Sequence, residues 1–214
     1  KNPILYKQID IKKYKGSFPT LGDLNNDGKV DFVLSYLGPY SCHLRLIALN
    51  SEGQFLWQFG DSLITSHSKV AYTNDINPCR GMCTVYDIDD DGKTEVLTEF
   101  WNNGSPVFYM LDGATGLVKK SIPSPLFSNE KEFIGKEKNR PTSTIMIAHL
   151  NGQDKPVSII LKYSDTDPTI QPLVVALDTS LNILWSIRPK TSETAHHASI
   201  ADIDSDGSDE IVLG

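Results

Sequence analysis

Apolar residues come in short runs along this chain, each run closed by an acidic, polar or glycine-containing stretch. Three segments share one form: LRLIALNSEGQFLWQF (44–59), SPVFYMLDGATGLVKKSI (105–122) and PLVVALDTSLNILWSI (172–187) each place an apolar strand, a turn and a second apolar strand in succession. That is the pattern of a β-hairpin. Leu49, Leu111 and Leu177 stand at the entries to the turns, 62 and 66 residues apart. Trp57 and Trp185 occupy matching places in the closing strands and read as packing residues. The opening ILYKQI (4–9) matches only the last strand of the unit. A different pair of strands is joined by acidic loops: Val30, Phe32 and Leu34, then Val96 and Leu97, then Ile211, Val212 and Leu213 each follow one.

The acidic loops repeat too. They begin at Asp23, Asp87 and Asp202, and the second gap of 115 residues is nearly twice the first of 64. A degenerate copy fills it: IAHLNGQDKPVSIIL (147–161) aligns with VYDIDDDGKTEVLTE and puts His149 where Asp87 stands. That copy has lost most of its acids and is expected to be metal-free. Four antiparallel strands recurring about every sixty residues is the plan of a β-propeller blade. A jelly roll explains the strands but not the period. The predicted fold is all-β, a propeller of four-stranded blades with the acidic loops between first and second strands. Residues 1–10 form the last strand of a preceding blade, 18–61, 81–122 and 141–189 are blades, and 195–214 is the first half of another. The two pieces could join to close four blades. The reading favoured here is part of a seven- or eight-bladed wheel, which needs roughly 400 to 500 residues at this period.

The loop chemistry is specific. Asp202, Asp204 and Asp206 alternate, Gly207 permits a sharp turn, and Glu210 closes the set eight residues after the first acid. Asp23, Asn25, Asp27 and Asp31 repeat the spacing, as do Asp87, Asp89, Asp91 and Glu95. Lys29, Lys93 and Ser208 fill the seventh place, where the main chain supplies the oxygen in loops of this kind. Such sets gather oxygens around one hard cation, which predicts about three calcium sites. An EF-hand is excluded, because its bidentate Glu at position twelve would fall on Leu34, Thr98 and Leu213.

Charge and cysteine content then change the picture. The formal charge of −7 opposes binding a polyanion such as nucleic acid, yet three calcium ions, six positive charges, would bring it to −1. Extracellular calcium modules bind at roughly 0.1–1 mM, a level met outside the cytosol, so a secreted, cell-surface or periplasmic setting is expected. No apolar run reaches the length of a membrane span. Cys42, Cys79 and Cys83 are an odd set; one bridge from Cys42 to Cys79 or Cys83 is open, and no zinc ligand set is complete.

Alternating strand direction puts the metal loops and hairpin turns at one end of the sheets. The other end carries the unusual residues: Arg80, Arg140, His196 and His197 at entries to first strands, and Tyr36, Trp101, Asn102, Lys162 and Tyr163 at exits from second strands. They make a candidate cationic and aromatic rim.

The stretches AHHASIADIDSDGSDEIVLG, YDIDDDGKTEVLTEF and GDLNNDGKVDFVLSY resemble the calcium-loop repeats of FG-GAP type propellers. Within that group, NRPTSTIMIAHLNG (139–152), PVSIILKY (156–163), a strand ending in Leu184-Trp185, and AHH before the last loop are most similar to propeller polysaccharide lyases, the rhamnogalacturonan lyases of family eleven and the ulvan lyases. The resemblance implies β-elimination on an acidic, uronate-containing polysaccharide. It implies His197 and Tyr163 in the acid and base roles, with Arg140 and Lys162 neutralising or positioning the carboxylate. His196, Arg80, Trp101, Asn102 and Tyr36 would bind substrate. The alternative is a non-catalytic, calcium-dependent carbohydrate-binding or adhesion propeller like the integrin-α modules.

Overall fold

Strands with apolar side chains on both faces need cover from both sides, and here neighbouring sheets supply it. The computed structural model describes residues 8–11, 18–37, 43–60, 83–102, 105–125, 142–152, 156–164, 172–190 and 198–213. Among these the regular structure is all β. Strands β1 (Phe18–Gly22), β2 (Asp31–Leu37), β3 (His43–Leu49) and β4 (Phe55–Gly60) form one antiparallel sheet in sequence order. A second sheet contains β5 (Thr84–Tyr86), β6 (Glu95–Asn102), β7 (Ser105–Asp112) and β8 (Val118–Pro123), and a third contains β9 (Thr142–Ala148), β10 (Ser158–Ser164), β11 (Leu173–Leu177) and β12 (Ile183–Ile187). Strands β13 (Ala198–Ala201) and β14 (Glu210–Leu213) pair as a two-stranded sheet. Residues 8–11 are not in a strand, and residues 1–7 of the predicted first strand lie outside the described residues. No helix among the described residues is long and apolar enough to cross a membrane.

The core lies between successive sheets. Val33, Leu46, Ala48 and Trp57 of the first sheet meet Val96, Phe100, Tyr109 and Leu111 of the second. On its other face the second sheet packs Leu97, Phe108 and Met110 against Ile159, Leu161, Tyr163 and Val175 of the third. Every residue of β11 is buried, as its unbroken LVVAL run requires when both faces are covered.

Polar joints recur at the same register in successive sheets. Thr20 Oγ1 donates to the Cys83 carbonyl at 3.0 Å, and Thr84 Oγ1 donates to the Ile145 carbonyl at 2.7 Å. The indole N–H of Trp57 donates to the Gly113 carbonyl at 2.7 Å. Lys120, which faces Met110 as Trp57 faces Ala48, donates to the Thr179 carbonyl at 3.0 Å. Trp185 takes the same register place opposite Ala176, but it is 38% exposed where Trp57 is 5% exposed. The hairpin turn whose Gly116 lies against the Trp57 ring has no counterpart over Trp185 among the described residues. The expected packing is seen directly for Trp57.

Cys83 is a free, buried thiol 3.3 Å from Thr20 Oγ1, which removes the Cys42–Cys83 bridge from the sequence reading. Burial pushes this thiol up from its usual pKa, against hydrogen bonds from Thr20 and Ser35. Cys42 and Cys79 lie outside the described residues.

Candidate functional site

The three acidic loops adopt one conformation. Asn26, Asp90 and Ser205, each fourth in its loop, have φ of 60°, 57° and 64°, and Gly28, Gly92 and Gly207 at the sixth place have φ of 79°, 79° and 90°. Glycine tolerates this left-handed region without a Cβ clash, and Asn or Asp tolerates it better than most residues. The first acid accepts two backbone N–H groups in every loop: Asp23 from Asp27 and Gly28, Asp87 from Asp91 and Gly92, Asp202 from Asp206 and Gly207. The fifth acid accepts the N–H of Lys29, Lys93 or Ser208 at 2.8–2.9 Å. The closing acid reaches back to the second residue: Asp31 accepts from Leu24 at 3.1 Å, Glu95 from Ile88 at 2.8 Å, and Glu210 from Ile203 at 2.7 Å.

Within that common frame the loops differ as cation sites. In the second loop oxygens of Asp87, Asp89 and Glu95 lie within 4.8 Å of one another, and in the last loop those of Asp202, Asp204 and Asp206 do. These all-carboxylate sets suit a hard divalent cation. The first loop does not gather three acids in this way. Asp31, fully buried, gives one oxygen to Leu24 and the other to the N–H of Ser51 at 2.9 Å, while Asn25 Oδ1 accepts from Asp27 at 3.0 Å. Burial pushes the Asp31 carboxyl up and these two backbone bonds pull it down. A positive charge already stands in the second loop: Lys119 Nζ is 2.6 Å from Glu95 Oε1 and 3.1 Å from Asp89 Oδ2. Burial works against its charge, but the hydrogen bonds and charges of Glu95 and Asp89 outweigh burial and hold the ammonium above its usual pKa.

The degenerate loop has a different filling. Ser158 pairs with Ala148 as Glu95 pairs with Tyr86, so this loop is one residue longer than an ungapped alignment implies. His149, in the first position, accepts from the Asp209 N–H at 2.9 Å and donates its own N–H to Asp209 Oδ2 at 2.6 Å. Thr94 makes the corresponding link to the Asp23 carbonyl at 2.7 Å, and Asn26 donates to the Gly92 carbonyl. Residues 153–155 of the degenerate loop lie outside the described residues.

At the opposite end of the sheets, register brings polar residues to one layer. Ser35, Glu99 and Lys162 face Leu46, Phe108 and Val174, each three residues before its hairpin leucine, and are 1%, 4% and 1% exposed. The Tyr163 hydroxyl, on a fully buried ring, donates to Glu99 Oε1 at 3.4 Å and lies 3.3 Å from Ser124 Oγ. Burial pushes the Lys162 ammonium down from its usual pKa. Tyr163 and Lys162, adjacent in β10, point to opposite faces of the sheet: the tyrosine belongs to the core shared with the second sheet. Glu99 was not singled out by sequence reasoning. Its signal is an acid inside EVLTEFW, a run otherwise suited to a buried strand, at the register place of Lys162. Tyr36, Trp101 and Asn102 fall at the ends of β2 and β6, where only the backbone is described. Arg80, Arg140, His196 and His197 lie outside the described residues.

The arrangement is therefore a stack of antiparallel sheets with cation-suited loops at one end and a buried acid, base and phenol layer at the other. No family model matches the sequence, and no curated protein matches it. Solved structures do. The chain is similar to rhamnogalacturonan lyase YesW, with TM-score 0.67 and 20% identity over 94% of this chain and 40% of that one. It is similar to Bacillus licheniformis rhamnogalacturonan lyase PL11, with TM-score 0.67 and 18% identity over 94% and 40%. The exotype rhamnogalacturonan lyase YesX gives TM-score 0.65 and 20% identity over 94% and 38%. The chain spans about two fifths of the length of these enzymes. At this identity the likeness is one of fold.

Proposed function

We propose that this chain is part of a calcium-binding β-propeller polysaccharide lyase of the rhamnogalacturonan- or ulvan-cleaving kind, working outside the cytosol. The observation that carries the reading is the fold shared with rhamnogalacturonan lyases along 94% of the chain. The layer of Tyr163, Glu99 and Lys162 at the end remote from the loops agrees with it. The loops would hold calcium through carboxylates and keep the sheet ends in register.

β-Elimination removes the proton on C5 of a uronate, beside its carboxylate. The electron pair left behind forms the C4–C5 double bond as the C4–O bond breaks, and the departing oxygen takes a proton. The carboxylate must be neutralised for C5–H to acidify, the task given to Arg140 and Lys162. A Lys whose ammonium is already disfavoured by burial gains from an anionic partner. His197 and Tyr163 serve as the acid and base groups, and Glu99, hydrogen-bonded to the Tyr163 hydroxyl, orients the phenol. Burial imposes a condition: Tyr163 and Lys162 reach substrate only where this end opens. Their burial favours a second reading, in which the same end binds an acidic polysaccharide without cleaving it.

Ultraviolet absorbance of the unsaturated uronate, measured for the full-length protein with calcium on rhamnogalacturonan, ulvan and polygalacturonate, separates the two. Absorbance should rise on one substrate and fall by a hundredfold or more in His197→Ala or Tyr163→Phe, the scale of losing general acid or base help. Full activity in both variants removes the catalytic assignment. Saturable binding with a flat trace selects the binding module.

A further inference from the structure

The second loop has something the loops of the first and third sheets lack. Lys119 lies on β8 between Val118 and Lys120, which face Leu111 and Met110. The matching places in the first and third sheets hold Leu56, between Phe55 and Trp57, and Leu184, between Ile183 and Trp185. Among the three described four-stranded sheets, the second alone thus sends a cation from this place on its fourth strand to its own loop. That ammonium touches two of the three carboxylates that cluster there, Glu95 at 2.6 Å and Asp89 at 3.1 Å. Glu95 is nearly inaccessible, at 1% side-chain exposure, and so cannot be solvated instead. Lys119 is 26% exposed and has a way out to water.

Building on the calcium reading above, we infer that Lys119 is a tethered counter-cation that competes with the divalent ion for the second loop. Without metal its ammonium bridges Asp89 and Glu95 and relieves the repulsion among carboxylates whose oxygens lie within 4.8 Å. One ammonium supplies a single charge and three donors, whereas calcium brings two charges and takes six to eight oxygens. Calcium therefore displaces the lysine, but must break two ion pairs to do so. Lys119 thus weakens the second loop's hold on calcium and closes the loop when calcium is low.

Isothermal titration of the full-length protein with calcium tests this, using Lys119→Leu, the residue found in both sister sheets, and Lys119→Gln in case the leucine variant folds poorly. The parent should bind calcium at both acid clusters. Either variant should tighten one class of site by about twofold to fivefold, the scale of losing a partly exposed ion pair, and leave the other alone. Asp204→Ala should abolish only the class that the Lys119 variants leave alone. In chelator the variants should melt lower than the parent, and calcium should raise their melting temperature by more. Unchanged or weakened calcium constants in both variants overturn the role of Lys119 while leaving the metal reading intact. Absence of any calcium binding by the parent overturns both.

Discussion

Gly113 stands where two sheets meet. Its N–H donates to the Thr94 carbonyl at 2.8 Å, its carbonyl accepts the Trp57 indole N–H at 2.7 Å, and a Cβ built on it would collide with the Thr94 carbonyl and crowd that of Leu24. Those carbonyls belong to the second and first loops, so neither can move without disturbing a loop. Gly113→Ala should cost about 1–3 kcal/mol, the usual penalty for overpacking. For a chain of 214 residues that lowers the melting temperature by about 2–4 °C per kcal/mol. A thermal melt equal to the parent's would mean the joint has slack. The sequence discloses Gly113 only as a turn glycine, since what crowds it comes from residues far along the chain. Loop acids were legible because their spacing is local. Glu99 was not, because its partner Tyr163 lies on another sheet, 64 residues away.

At the scale of elements, the hairpins and loops show how one device is rebuilt with different residues. The residue after each hairpin leucine caps its own turn. Asn50 Oδ1 accepts from Glu52 and Gln54, Asp112 Oδ1 from Thr115, and Asp178 Oδ1 from Ser180 and Asn182. For Asp112 the side-chain bond from Thr115 leads in lowering the pKa; for Asp178 burial opposes the shift, and the bonds from Asn182 and Ser180 outweigh it. The folded pKa lies below the unfolded value in both. Their stabilisation is thus present above the usual carboxylate range and is lost as pH falls through the folded pKa. The cross-sheet links were less legible. Asp209 looks like one more loop acid, yet it clasps the His149 backbone instead of facing the cation cluster. Asp209→Ala should destabilise by about 1–2 kcal/mol, because it strands a partly buried N–H, while Asp209→Asn retains an acceptor and most of the stability. Urea melts of the two variants decide it; equal losses would assign the effect to charge instead of the hydrogen bond.

Over the whole molecule the repeat was legible from the loop starts at 23, 87, 149 and 202, because a period survives even when one copy loses its chemistry. What each interface does with the repeat was not. Trp57 is only 5% exposed because the turn at Gly116 of the next sheet covers it, a contact that the pattern of its own strand does not disclose. The same holds for the loops: three share a spacing, but the first carries Asn25 in place of an acid and bonds Asp31 to Ser51, and three acids gather at the other two. Binding to the folded state alone stabilises by mass action, about 2.7 kcal/mol per site when free calcium is about a hundred times Kd. Chelation should then lower the melting temperature by roughly 5–10 °C for each filled site. Asp204→Ala should remove one such increment and Asp87→Ala the other, whereas Asn25→Ala, in the loop that does not gather its acids, should leave the calcium-dependent increment in place. A melting curve indifferent to chelator would leave the clustered carboxylates without a cation and return the loops to the status of turns. An increment lost with Asn25→Ala would mean that the first loop closes around a metal after all, with Asp31 giving up its bond to Ser51.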